Sequence, residues 1–377
     1  MEHIVYLDNS STTKPCKKAC EYINTALTEI WGNPSSLHNL GLDAEIAVSN
    51  TRKAVAKLIC CNENEIIFTG SGTEANNACI MNVISKKNAK KIITSKIEHP
   101  SVLETVKRAE EAGFEVIRLD CDSNGIVSLE QLKNALSRDT ALVSIMLVNN
   151  EVGTVQPIGE AVKLVKQVSK DILFHCDAVQ AFGKIPLNVK TMGVDFLSAS
   201  AHKIHGPKGI GILYCKKGVH LKPFITGGGQ ERGLRSGTES VPLIYGFKGA
   251  IEELTIKESF EKINKLNDYA REKISNCGFA QINSPEDACA FILNISVPGF
   301  RSETLLHFLE RKNIFVSSGS ACAKGEASYV LKSMGLDRAR SDSALRLSFC
   351  KDNTKQDVDL FLSALNEATA TLRRSNI

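Results

Sequence analysis

The chain of 377 residues predicts an α/β protein, a mostly parallel sheet covered by helices, followed by a smaller α+β portion. Three observations carry that expectation. Short β-branched runs alternate with helix-like segments through the middle of the sequence. The runs are almost continuously apolar, as in strands covered on both faces. After about residue 240 the alternation gives way to a long helical pattern.

In chain order, Ile66 to Thr69, Lys91 to Ser95, Glu115 to Leu119, Ala141 to Val148 and Ile172 to Cys176 read as strands. Helical segments are expected near 73–86, 101–112, 129–136 and 159–169. The runs Phe196 to Ser200 and Ile210 to Tyr214 extend the sheet. One helical stretch over roughly 241–275 is expected to bridge two domains. Beyond it come a strand from Phe291 to Val297, a helix near 302–312, a strand near 314–318, a strand from Ala344 to Phe349 and a final helix from about 354.

Composition is that of an ordinary globular protein, 43% hydrophobic and 23% charged, with a net charge of +4. Lys86-Lys87 and Lys90-Lys91 are short clusters that read as solvated helix ends rather than a nucleic-acid surface. No apolar run approaches the roughly 20 residues that span a bilayer. The 12 cysteines form no CxxC and no zinc-like cluster, which points to a reducing cytoplasm with thiols mostly free and buried.

Three clusters carry chemistry. Ser200-Ala201-His202-Lys203 ends an apolar strand, where a desolvated lysine becomes a better amine nucleophile. Alone, such a lysine is more often one reaching solvent. Asp177 ends another strand, where α/β folds place ligands; by itself it reads equally as a helix cap. Thr69-Gly70-Ser71-Gly72-Thr73 joins a strand to a helix whose free N–H groups attract an anion, without the lysine of a nucleotide P-loop. A lysine, an acid and an anion cradle together suit pyridoxal phosphate (PLP), whose ring nitrogen needs a carboxylate partner.

These clusters resemble the fold-type I PLP enzymes of the class V aminotransferase group, with a seven-stranded type of sheet. The match narrows through Tyr6 to Thr13, Gly32-Asn33-Pro34-Ser35-Ser36, Glu98-His99-Pro100, Val148 to Gly153, Asp177-Ala178-Val179-Gln180, His202 to Gly209, Arg235-Ser236-Gly237-Thr238 and Ser317 to Cys322. Together they resemble group I cysteine desulfurases from residue 4 to about 350. The resemblance implies a large PLP-binding domain of residues 15–250 and a small domain of 1–14 with 251–377. It implies that Lys203 holds PLP as a Schiff base and that Asp177 pairs with the ring nitrogen. His99 would stack on the ring and take part in catalysis, and Gln180 would bond the phenolic oxygen. Gly72, Thr73, Ser200 and His202 would hold the phosphate, with Thr238 supplied by the partner of a homodimer. Asn33, Asn150 and Arg346 would bind L-cysteine, Asn150 also touching the cofactor. Arg346 in isolation reads as an exposed strand arginine, yet its fork matches a carboxylate.

Cys322 lies in Ser-Ser-Gly-Ser-Ala-Cys-Ala-Lys-Gly-Glu, a small polar stretch that offers a structural thiol no apolar neighbours. The resemblance implies that it takes sulfur from cysteine as a persulfide, releasing alanine, and passes it to an acceptor for iron–sulfur assembly or tRNA thiolation. It is also a candidate transient ligand of an iron–sulfur cluster; no resident metal is expected. Cys176 and Cys350 are expected near the site. Four departures stand out: a shorter stretch from Cys322 to Ser328, Glu326-Ala327 for the usual Glu-Pro, His205 where many relatives have tyrosine, and Ala201 where many have glycine. A shorter stretch reaches less far, since a chain spans at most ~3.3–3.6 Å per residue. A selenocysteine lyase, another class V activity, or an inactive sulfur-relay scaffold are the competing readings.

Overall fold

The computed structural model describes residues 3–84, 90–318 and 328–374. Seven strands form the main sheet, in the order Ile66–Thr69, Gly211–Cys215, Phe196–Ser200, Leu173–Asp177, Thr140–Met146, Lys91–Ser95 and Glu115–Leu119. Gly211–Cys215 runs antiparallel to both neighbours, and the remaining pairs are parallel. Every residue of Phe196–Ser200 and Leu173–Asp177 is buried, the burial that near-continuous apolar runs anticipate. Helices Gly72–Ile84, Pro100–Glu111, Leu129–Ala135 and Ile158–Val168 lie close to the spans expected.

A second sheet of four strands has the order Ser317–Ser318, Ala344–Ser348, Ile292–Ser296 and Gln281–Ile282. Val5–Tyr6 pairs in parallel with Ile314–Phe315, so the start of the chain is tied to its last quarter. The expected strand near 314–318 is therefore two short strands serving two sheets.

The expected continuous helix over 241–275 is also corrected. It is Val241–Glu252 and Ile256–Asn276, interrupted at Thr255, whose φ and ψ of −116° and 69° are not helical. Two helices that the pattern did not announce, Lys17–Thr28 and Asn39–Leu58, pack against Val241–Glu252. Their approach is close: a Cβ on Gly246 would sit 2.4 Å from Ile23 Cγ1.

Candidate active site

The C-terminal ends of the central strands open into a cavity of about 420 Å³. Lys203 sits in a single turn of 3-10 helix, Ala201–Lys203, directly after the buried strand Phe196–Ser200. Its Nζ donates to the Ser11 carbonyl at 2.8 Å and to the Ser10 carbonyl. Burial, helped by the Lys184 and Arg346 cations, pulls its pKa from 10.5 down to about 7. Asp177 closes the neighbouring strand and is 5% exposed. Its Oδ2 accepts from Asn76 Nδ2 at 2.7 Å and its Oδ1 from the Val179 N–H at 3.0 Å. The cap-like bond and the ligand-facing carboxylate coexist on one side chain.

His99 is the N-cap of Pro100–Glu111, and its Nδ1 accepts from the Ser101 N–H at 3.1 Å. That bond requires an unprotonated Nδ1, so a neutral ring carries its proton on Nε2. Burial lowers the imidazole pKa, against the pull of Asp177. The Ser101 hydroxyl joins His99 Nδ1 at 2.8 Å to Asn76 Nδ2 at 2.8 Å, which links His99 to Asp177. Burial likewise lowers His202 to about 4, and its Nδ1 lies 3.2 Å from Thr12 Oγ1.

Arg346 is 4% exposed and lines the cavity, so it is no surface arginine. Its guanidinium donates to Asp8 Oδ1 at 2.9 Å, Ser11 Oγ at 2.7 Å and the Asn150 carbonyl at 2.8 Å. Glu151 stands beside it, its pKa raised by burial to about 7, and accepts from the Ser328 hydroxyl.

The family model for Aminotransferase class-V matches residues 5–361. The chain belongs to the class V aminotransferase family. A NifS/IcsS protein homolog of Lactobacillus delbrueckii subsp. bulgaricus is 46% identical, over 97% of each chain. A protein named cysteine desulfurase from Nostoc sp. is 41% identical, covering 98% of this chain and 94% of that one. Among solved structures, a NifS-like protein superposes with a TM-score of 0.93 at 41% identity, covering 98% of this chain and 100% of its own. A structure described as SspA in complex with cysteine gives a TM-score of 0.83 at 34% identity, covering 93% and 99%.

In this class V aminotransferase, the cavity is lined by Gly72, Thr73, His99, Asn150, Asp177, Gln180, Ser200, His202, Lys203 and Arg346. Asn33 and Thr238 are exposed and do not line it. Cys322 lies outside the described residues. Cys176 is buried in the strand of Asp177, and Cys350 lines a second, narrow cavity that Lys203 shares. Of the eleven described cysteines, all free, only Cys79, Cys176, Cys289 and Cys350 are buried, so the expectation of mostly buried thiols fails. Sequence reasoning gave no role to Asp8, Asn76, Ser101, Glu151 or Lys184. Each acts through a partner more than 20 residues away or through a turn, which no local spacing signals.

The donor set fits a phosphorylated pyridine aldehyde. Gly72 opens a helix of 13 residues onto the cavity, and a Cβ there would meet Val179 Cγ2 at 2.7 Å. Ser10 Oγ, Asn76 Oδ1, Asn150 Oδ1 and Arg346 Nε are buried without a partner among the described residues, and all four residues line the cavity. Such groups cost ~1–3 kcal/mol each unless a ligand satisfies them.

Proposed function

We propose that the protein is a PLP-dependent cysteine desulfurase that converts L-cysteine to L-alanine and carries the sulfur on Cys322. The observation that carries this reading is one cavity joining a lysine with a near-neutral pKa, a buried carboxylate and a buried arginine fork. Lys203 would hold the cofactor, Asp177 would face its ring nitrogen, and Gly72, Thr73, Ser200 and His202 would hold its phosphate. When bound, the cofactor supplies an electron sink for charge developing at the substrate α-carbon. Lys203 Nζ, released when substrate arrives, takes the α-proton. Arg346 exchanges Asp8 for the substrate carboxylate, and Asn150 presents its free Oδ1 to the substrate. His99, protonated on Nε2 when neutral, can pass that proton.

The Cys322 thiolate attacks the substrate sulfur, whose bond to the β-carbon breaks. The products balance: cysteine and one thiol give alanine and one persulfide. An acceptor thiol then takes the outer sulfur, and Cys322 regains its thiol. Iron–sulfur assembly or tRNA thiolation would use that sulfur, in the cytoplasm. No described helix is long and apolar enough to cross a membrane.

We further propose a homodimer. Supporting it, Leu27, Trp31, Leu37, Leu40, Leu42 and Ile46 are all exposed large apolar side chains within residues 27–46. Thr238 and Asn33, which do not line this chain's own cavity, would then serve the neighbour's. The test is to reconstitute the protein with PLP, follow visible absorbance, and measure alanine and sulfide formed from L-cysteine. Equimolar alanine and sulfur with a cofactor band are expected. A protein that binds no PLP, or releases alanine without sulfur, would refute the reading.

A further inference from the structure

Lys184 is a buried cation to which the proposed chemistry gives no task. It is 6% exposed, as is its neighbour Gln180. It does not line the large cavity, whereas Gln180 does. Its Nζ donates to Gln180 Oε1 at 3.0 Å. On the other side, Gln180 Nε2 donates to the Ser10 carbonyl at 2.9 Å, the carbonyl that also receives Lys203.

The chemistry of these partners removes any ambiguity in the amide. An ammonium has only donors, so it must face the amide oxygen. A backbone carbonyl has only acceptor capacity, so it must face the amide nitrogen. One of the two amide hydrogens is used by Ser10, which leaves the second for the cavity. Without Lys184 the oxygen loses its only described partner, and turning the amide over costs one bond instead of two. The Lys184 charge also bears on the catalytic amine: after burial itself, it is the foremost influence lowering Lys203.

We propose that Lys184 is a positioning residue of the active site, whose hydrogen bond holds the Gln180 amide with an N–H turned toward the cofactor's phenolic oxygen. The inference rests on the PLP reading above. It assigns to Gln180 a donor, never an acceptor, and so requires an anionic or otherwise accepting oxygen on the ligand at that point.

The test is a double-mutant cycle on the PLP-reconstituted protein with Lys184→Met, Gln180→Ala and the pair. Two quantities are read: the visible absorption maximum of the bound cofactor and kcat/KM for L-cysteine. Lys184→Met is expected to displace the band and lower kcat/KM about tenfold, the worth of one charge-assisted hydrogen bond. In the Gln180→Ala background the same substitution is expected to leave the band in place, and to alter kcat/KM only by the smaller effect of removing the Lys184 charge from the surroundings of Lys203. Thermal midpoints of the apoproteins report the purely structural cost separately. An unshifted band, or additive effects of the two substitutions, overturns the proposal. If the methionine variant does not accumulate as folded protein, Lys184→Leu, which likewise offers no donor to Gln180, replaces it in the cycle with the same two outcomes. A wild-type protein with no cofactor band would instead sink the PLP reading, so the two failures are distinct.

Discussion

A lysine amine that loses its proton near pH 7 can accept one from carbon at neutral pH, and an ordinary lysine cannot. Burial brings Lys203 to about 7, so alanine formation should rise with pH through that value, as the neutral amine replaces the charged one. A pH–rate profile flat from 5 to ~9 would contradict this assignment, since a catalytic base imposes its own acidic limb. Lys203→Ala should lose turnover by at least ~10²-fold, with loss of the cofactor band that Lys203 anchors. Cys322→Ser should leave the band and the melting temperature unchanged, while alanine formation falls to the uncatalysed level. Serine is nearly isosteric, but its oxygen cannot hold the transferred sulfur. Glu98 gives a stability prediction. Burial raises its carboxyl from 4.5 to about 8, so the folded state keeps a proton that the unfolded chain gives up between those values. The stability it contributes is complete at low pH and lost as pH rises through that window. The melting-temperature difference between wild type and Glu98→Gln should therefore drift against wild type as pH rises from 4.5 to about 8. That Lys203, Asp177 and Gly72 share one cavity was legible in sequence because a strand end and a Gly turn are local features. Asn76 and Ser101 were not, because the bonds joining Asp177 to His99 cross 101 and 25 residues of chain.

At the scale of elements, the strands of the main sheet declared themselves, since most have both faces covered and nearly unbroken apolar runs; the edge strand Glu115–Leu119, with only Leu119 buried, is the exception. Lys17–Thr28 did not. Only Ala19 and Ala26 are buried in it, and its cap is Cys16, whose sulfur accepts from the Ala19 N–H at 3.4 Å. Asn39–Leu58 is capped by His38 and buries mostly small residues, again without the usual start signal. The break at Thr255 carries neither glycine nor proline, so the 241–275 pattern read as one helix. The element most tightly tied to function is the start of Gly72–Ile84. Gly72→Ala would drive a Cβ against Val179 Cγ2 at 2.7 Å, an overpacking cost of ~1–3 kcal/mol unless the turn moves. Either outcome disturbs the N–H groups at the helix start, which would hold the cofactor phosphate. Fluorescence titration should then show weaker binding of PLP, while pyridoxal, which lacks the phosphate, binds both proteins similarly.

For the whole molecule, the apolar residues between 27 and 46 set the expectation. Leu37 is fully exposed and Trp31 is 65% exposed, more than a monomer usually leaves bare within one short stretch. Trp31→Glu with Leu42→Glu should give a monomer by light scattering. The monomer should also bind PLP more weakly, because Thr238 would no longer reach a neighbour's site. A dimer that survives both charges would place the interface elsewhere. In the loop of Gly227 to Arg232, Glu231 is buried and bonded by Arg52 at 2.8 and 2.7 Å. That acid braces its own subunit.

The strap formed by residues 8–13 has a consequence for how the chain is made. Asp8 meets Arg346 across 338 residues, and Ser10 meets Lys203 across 193. During synthesis Ser10 can meet Lys203 once residue 203 has been made, but Asp8 has no Arg346 to meet until almost all of the described residues have followed it. The catalytic pocket is therefore among the last parts of the molecule to assemble, and contacts of such separation slow folding. A nascent chain stalled before residue 340 should contain a finished seven-stranded sheet and yet be unable to retain the cofactor in a closed site.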